Sequence, residues 1–111
     1  MLLQVKNFNK IILSLGSNIG DKKSNLETAI NEINEFSTIN KISSIYESDP
    51  ILLKDQDNFF NLVLEIDYKK SVIELLETTK DVESRMGRKK TVKYGPRIIA
   101  VSYTHLTLPT M

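Results

Sequence analysis

Apolar residues recur along this chain with two different periods, and the switches between them divide it into elements. Ile11-Ile12-Leu13-Ser14-Leu15 is a nearly continuous apolar run that stops at Gly16, which predicts a strand covered on both faces and running into a turn. Gly16-Ser17-Asn18 and Gly20 predict a flexible loop, with Asp21 or Ser24 beginning a helix. Leu26, Ala29, Ile30, Ile33 and Phe36 then fall on one helical face, with Asn25, Glu27, Glu32 and Glu35 opposite.

Thr38 to Ser48 is rich in Ile, Ser and Thr and predicts a strand, although its alternation is imperfect. Asp49-Pro50 breaks it, and ILLKDQD forms a loop. From Asn58 to Tyr68 the alternation is clean: Phe60, Leu62, Leu64, Ile66 and Tyr68 point one way, and Phe59, Asn61, Val63, Glu65 and Asp67 the other. Ser71 with Glu74 makes a capping box, and Val72, Leu75, Leu76, Thr79 and Val82 form the stripe of a second helix ending near Met86-Gly87. A basic loop follows, and Arg97 to Val101 begins a further strand. The order β-α-β-β-α-(β), without repeat or linker, predicts a ferredoxin-like α+β sandwich, a mainly antiparallel sheet covered by two helices.

Length and composition narrow the function. At 111 residues, with 41% hydrophobic and 26% charged residues, the chain holds one globular core rather than two. Having no cysteine removes disulfides, thiolate metal sites and Cys nucleophiles, and a single histidine, His105, removes His-cluster metal sites. No apolar run approaches the roughly 20 residues of a membrane span. MLLQVKNFNK lacks the apolar stretch and cleavage site of a signal peptide, so the expected location is cytoplasmic. The net charge of +1 hides an asymmetry: Arg85 to Arg97 carries six basic residues and no acid, leaving nine basic against fourteen acidic elsewhere. The final fourteen residues, IIAVSYTHLTLPTM, carry no charge at all.

Three places could carry chemistry. Arg88, Lys89, Lys90, Lys93 and Arg97 make either a solvated loop or an anion clamp, since guanidinium forks match phosphate oxygens. The acidic remainder argues against an extended nucleic-acid footprint. Phe59 and Asn61 project to the same side of their strand; an aromatic ring beside an amide suits a planar heterocycle, but spacing alone favours ordinary sheet positions. The loop Gly16 to Ser24 superficially matches a phosphate-binding P-loop, yet Asp21 stands where that motif needs Gly before Lys-Ser/Thr. An acid there repels phosphate, and the P-loop is rejected.

LSLGSNIGD, SSIYESDP, DNFFN, ESRMGR and YGPR occur in the order and rough spacing of the 6-hydroxymethyl-7,8-dihydropterin pyrophosphokinase family, and the resemblance covers Ile11 to Ile99. It implies a folate-pathway enzyme with a ferredoxin-like core. Such an enzyme transfers pyrophosphate from ATP to the hydroxymethyl oxygen of a reduced pterin and releases AMP. Its substrates are small molecules, with no nucleic acid or membrane partner. By this resemblance the pterin positions are Asn18, Ser48, Asp49, Phe59 and Asn61. Glu83, Arg88, Lys90 and Arg97 are the ATP positions, and Arg88 and Arg97 are also the catalytic ones, offsetting charge on the triphosphate. The loop from Gly87 to Tyr94 would close over ATP and exclude water.

The departures carry equal weight. Where the family has Asp-x-Asp ligands for Mg²⁺, this chain has Ala100 and Ser102, neither an anionic oxygen ligand for a hard cation. Mg²⁺ is expected in the intact family enzyme, with its ligands absent here. VSYTHLTLPT resembles a translated sequencing adaptor. The expected organisation is therefore residues 1–100 as the N-terminal part of one pyrophosphokinase domain and 101–111 as a non-native tail, with the last strands missing or replaced. A genomic read continuing through VSYTHLTLPTM would refute this. The rival from another class is a non-catalytic ferredoxin-like ligand-binding module, which accounts for the missing carboxylates directly. A small RNA-binding domain is the weaker rival, because the sheet lacks paired exposed aromatics.

Overall fold

The computed structural model describes residues 9–50, 56–87 and 99–106. Five strands and two helices follow in the order β1 (Asn9–Ser17), α1 (Lys22–Asn34), β2 (Thr38–Ile42), β3 (Tyr46–Ser48), β4 (Phe59–Tyr68), α2 (Val72–Arg85) and β5 (Ala100–Leu106). The sheet runs β2-β4-β1-β5, with β3 also paired to β4, and every pairing is antiparallel. Each helix therefore links two strands that are separated in the sheet by a third. The β1-α1-β2 connection steps over β4, and the β4-α2-β5 connection steps over β1.

The core forms between one sheet face and the two helices. Ile11, Leu13 and Leu15 of β1 and Leu62, Leu64, Ile66 and Tyr68 of β4 pack against Leu26, Ala29, Ile33, Leu75 and Ile99. The clean alternation of β4 is borne out: its inward set from Leu62 to Tyr68 is buried, and its outward set is half-buried. In β1 the expectation of cover on both faces is corrected, because Ile12 is half-buried and Ser14 exposed. Among the described residues both helices lie on one side, so only alternate β1 side chains are enclosed.

Asp21 caps α1, its side chain accepting from Ser24 N at 3.1 Å, and Ser71 caps α2, accepting from Glu74 N at 3.2 Å. Both caps satisfy amide donors that have no partner inside the helix. Gly87 adopts φ +88° just beyond the Met86 cap of α2, a left-handed position that a side chain would strain. Within the α2 stripe, Leu75, Thr79 and Val82 are buried, whereas Leu76 lies at the margin, 37% exposed.

One sequence expectation changes. Thr38 to Ser48 is two strands rather than one. The register against β4 shifts between Ile39 and Lys41, and the extended pairing lapses at Ser43-Ser44-Ile45. Ser43 keeps the chain beside β4 by donating its amide to Val63 O at 2.9 Å and accepting Val63 N–H on Oγ at 2.8 Å. The further strand expected to begin before Val101 is present as Ala100–Leu106, which pairs with β1 from Gly16↔Ala100 to Lys10↔Leu106. Ladder hydrogen bonds use only main-chain groups, so a Val-, Tyr- and Thr-bearing segment fills that edge whatever its side chains supply to a site.

Candidate functional site

Opposite the helices, the sheet presents a second face on which directly paired residues stand side by side. One row across it reads Asn61 on β4, Gly16 on β1 and Ala100 on β5; the next reads Val63, Ser14 and Ser102. Phe59 and Asn61 converge over Gly16. A Cβ there would stand 3.1 Å from Asn61 Oδ1 and 3.4 Å from Phe59 Cδ1, so the absent side chain of Gly16 is what lets the amide and the ring settle on the sheet.

The Asn61 amide is held from the hairpin side. Its Nδ2 donates to Ser48 Oγ at 2.8 Å and to Tyr46 O at 3.2 Å, with a longer contact to Phe59 O at 3.4 Å. These contacts follow from the register, which sets Tyr46 opposite Asn61 and Ser48 opposite Phe59. With the amide donors so engaged, no described residue donates to Oδ1, which lies over Gly16 near the Phe59 ring. An acceptor next to an aromatic plane suits a flat heterocycle with ring N–H donors.

Asn18 closes the neighbouring end. It is buried, 3% exposed, and its Nδ2 donates to Gln56 Oε1 at 2.8 Å and Asp57 O at 3.1 Å. The loop after β1 is thereby fastened to the residues leading into β4. Asn25 belongs to this network rather than to a solvated helix face: Nδ2 donates to Ser17 Oγ at 3.0 Å and to Ile19 O at 2.8 Å. Lys22 adds a second tie, its Nζ donating to Asn58 O at 2.9 Å.

The fold thus brings Asn18, Ser48, Phe59 and Asn61 to one end of the sheet, with exposed Asp49 directly after β3. Glu83 stands apart from them in the helix layer, buried on α2 at 7% exposure. Arg88, Lys90 and Arg97, with the loop around them, lie outside the described residues. Gly16, Asn25, Gln56 and Lys22 escaped sequence reasoning. Asn25 and Lys22 sit on the polar side of a helix, and only the fold shows that this side meets a loop.

The two positions that the resemblance gives to metal ligands do not suit a divalent cation. Ala100 and Ser102 share the Gly16 face of β5, but neither offers a carboxylate. No cluster of three or more His, Cys, Asp or Glu exists among the described residues. Nor does any described helix have the length and apolarity to cross a membrane.

Residues 12–110 match the sequence profile of the family described as 7,8-dihydro-6-hydroxymethylpterin-pyrophosphokinase. The chain is 41% identical over 91 residues to the 2-amino-4-hydroxy-6-hydroxymethyldihydropteridine pyrophosphokinase of Bacillus subtilis, covering 80% of this chain and 54% of that one. Its similarity to the enzyme of the same name from Aquifex aeolicus is 43% over 91 residues, 82% of this chain and 57% of that one. The folic acid synthesis protein fol1 of Schizosaccharomyces pombe is 43% identical over 94 residues, 82% of this chain and 13% of its own length. The chain therefore spans about half the length of the bacterial curated relatives it matches. Among solved structures, an unknown protein from Galdieria sulphuraria superposes with a TM-score of 0.58 at 8% identity, covering 96% of this chain and 54% of that one, a likeness of fold alone. The profile match over most of the chain and the shared identity with both bacterial enzymes place this chain in the 7,8-dihydro-6-hydroxymethylpterin-pyrophosphokinase family.

Proposed function

We propose that this chain carries the pterin-binding half of a pyrophosphokinase site, and that the parent activity is transfer of pyrophosphate from ATP to 6-hydroxymethyl-7,8-dihydropterin in folate synthesis, in the cytoplasm. The observation that carries the reading is the Phe59–Asn61 pair over Gly16, with the Asn61 amide clamped by Ser48 and Tyr46. Phe59 stacks on the pterin ring and Asn61 Oδ1 accepts from a ring N–H. Asn18 shapes the pocket wall, while the backbone at Ser48 and Asp49 faces the ring edge. We further read the fold as ferredoxin-like, a reading supported by the two crossovers that each step over one strand of the sheet.

Arg88, Lys90 and Arg97 would neutralise triphosphate charge, and Glu83 would meet the nucleotide from α2. ATP is the co-substrate in this reading. Ala100 and Ser102 favour a second, narrower reading, in which the present chain binds pterin without transferring pyrophosphate. Fluorescence titration with 6-hydroxymethylpterin tests the shared part. The chain is expected to bind it, and Asn61→Ala to weaken binding about tenfold by deleting a hydrogen bond to the ring. Affinity unchanged by that substitution would sink both readings.

A further inference from the structure

We infer that Lys22 is a positioning residue for the Phe59–Asn61 pair, fastening the entry of β4 to the N-terminus of α1; the inference rests on the pterin-site reading above. Lys22 is the first residue of α1, directly after the Asp21 cap, at a helix end where the dipole disfavours a cation. Its side chain leaves the helix instead. Nζ donates to Asn58 O at 2.9 Å, 36 residues away in sequence, and lies 4.9 Å from the centroid of the Phe60 ring. A cation donating to a carbonyl makes one of the stronger kinds of hydrogen bond, and the ring face adds a second attraction.

The position of these contacts gives them their consequence. Asn58 is the last residue before β4, and Phe60 is the one β4 residue between Phe59 and Asn61. Lys22 thus contacts the chain on either side of Phe59, and its ring contact at Phe60 lies on the face opposite the pair, since alternate residues point to opposite faces. Asn18 ties the preceding residues, Gln56 and Asp57, to the same loop. The strand end that presents the ring and the amide is therefore set by the start of α1 as well as by its ladder.

Amide hydrogen exchange and pterin titration on the full 111-residue chain test this together, using Lys22→Met and Lys22→Arg. Arg keeps both the donor and the ring contact. Lys22→Met should speed exchange about tenfold at Phe59 to Asn61 while leaving Leu64 and Ile66 unchanged, and should weaken 6-hydroxymethylpterin binding by a similar factor. Lys22→Arg should stay within about threefold of the parent in both measurements. Three results would overturn the inference: unchanged exchange at Phe59 to Asn61, loosening that spreads equally to Leu64 and Ile66, or an Arg variant no better than Met. Looser exchange with unaltered pterin affinity would overturn it too. A parent chain that takes up no pterin refutes the proposed function instead, and the exchange comparison still decides the role of Lys22.

Discussion

Gly16 shows how a single absent side chain can shape a site. A methyl group there meets Asn61 Oδ1 at 3.1 Å, closer than comfortable packing, and touches Phe59 Cδ1 at 3.4 Å, so the amide must yield by a few tenths of an ångström. Gly16→Ala is therefore expected to weaken 6-hydroxymethylpterin binding about tenfold. The same change at exposed Ser14, one row along, should leave affinity within about twofold, and parallel titrations compare them. The shared side of Phe59 and Asn61 was legible from alternation alone. Their candidate role came from the DNFFN motif rather than from spacing, because two residues on one strand face look the same whether or not a hairpin clamps one and a glycine floors both.

At the scale of elements, local rules account for the helices well. Ser71 and Glu74 were legible as a cap, and the cap is present. Removing it with Ser71→Ala should cost about 1 kcal/mol, seen as a fall of several degrees in the thermal midpoint. The stripe residue Leu75 is fully buried, so Leu75→Ala should cost about 2–5 kcal/mol through lost contacts and a cavity, measured by denaturant unfolding. Strand limits were harder to read. The break between β2 and β3 depends on the register shift against β4 and on the Ser43 hydroxyl taking over a ladder position. No property of Thr38 to Ser48 in isolation contains that partner. Asn25 makes the same point from a helix: its spacing marks the polar side, and only the returning loop turns that side into a support.

For the molecule as a whole, the decisive fact is what stands in the outward row of the sheet. Ala100 lies beside Gly16, which lies beside Asn61, so the segment after the basic loop reaches the site but brings no carboxylate to it. Without metal ligands the charge of a triphosphate is poorly offset during transfer. The purified chain should therefore bind pterin yet form negligible AMP from ATP in its presence. Pterin-dependent AMP formation above the no-enzyme rate would overturn this expectation. The expected split between retained binding and lost transfer is a whole-molecule property, because the proposed pterin positions lie on or beside β1, β3 and β4 while Ala100 and Ser102 lie on β5.

The sequence by itself determined the alternation of β4, both helices and the cap of α2, the α+β order of elements and the motif set that marks the family. Each of these depends on residues close in the chain or on residue types that must recur at set intervals. Tertiary structure alone decided that β1 is covered on one face, that β2 and β3 are separate, that residues 100–106 pair with β1, that Lys22 reaches Asn58, that Asn25 braces the loop after β1 and that Gly16 lies beneath Phe59 and Asn61. These depend on pairing between segments tens of residues apart, where the energy of a contact belongs to both partners and neither segment carries it alone.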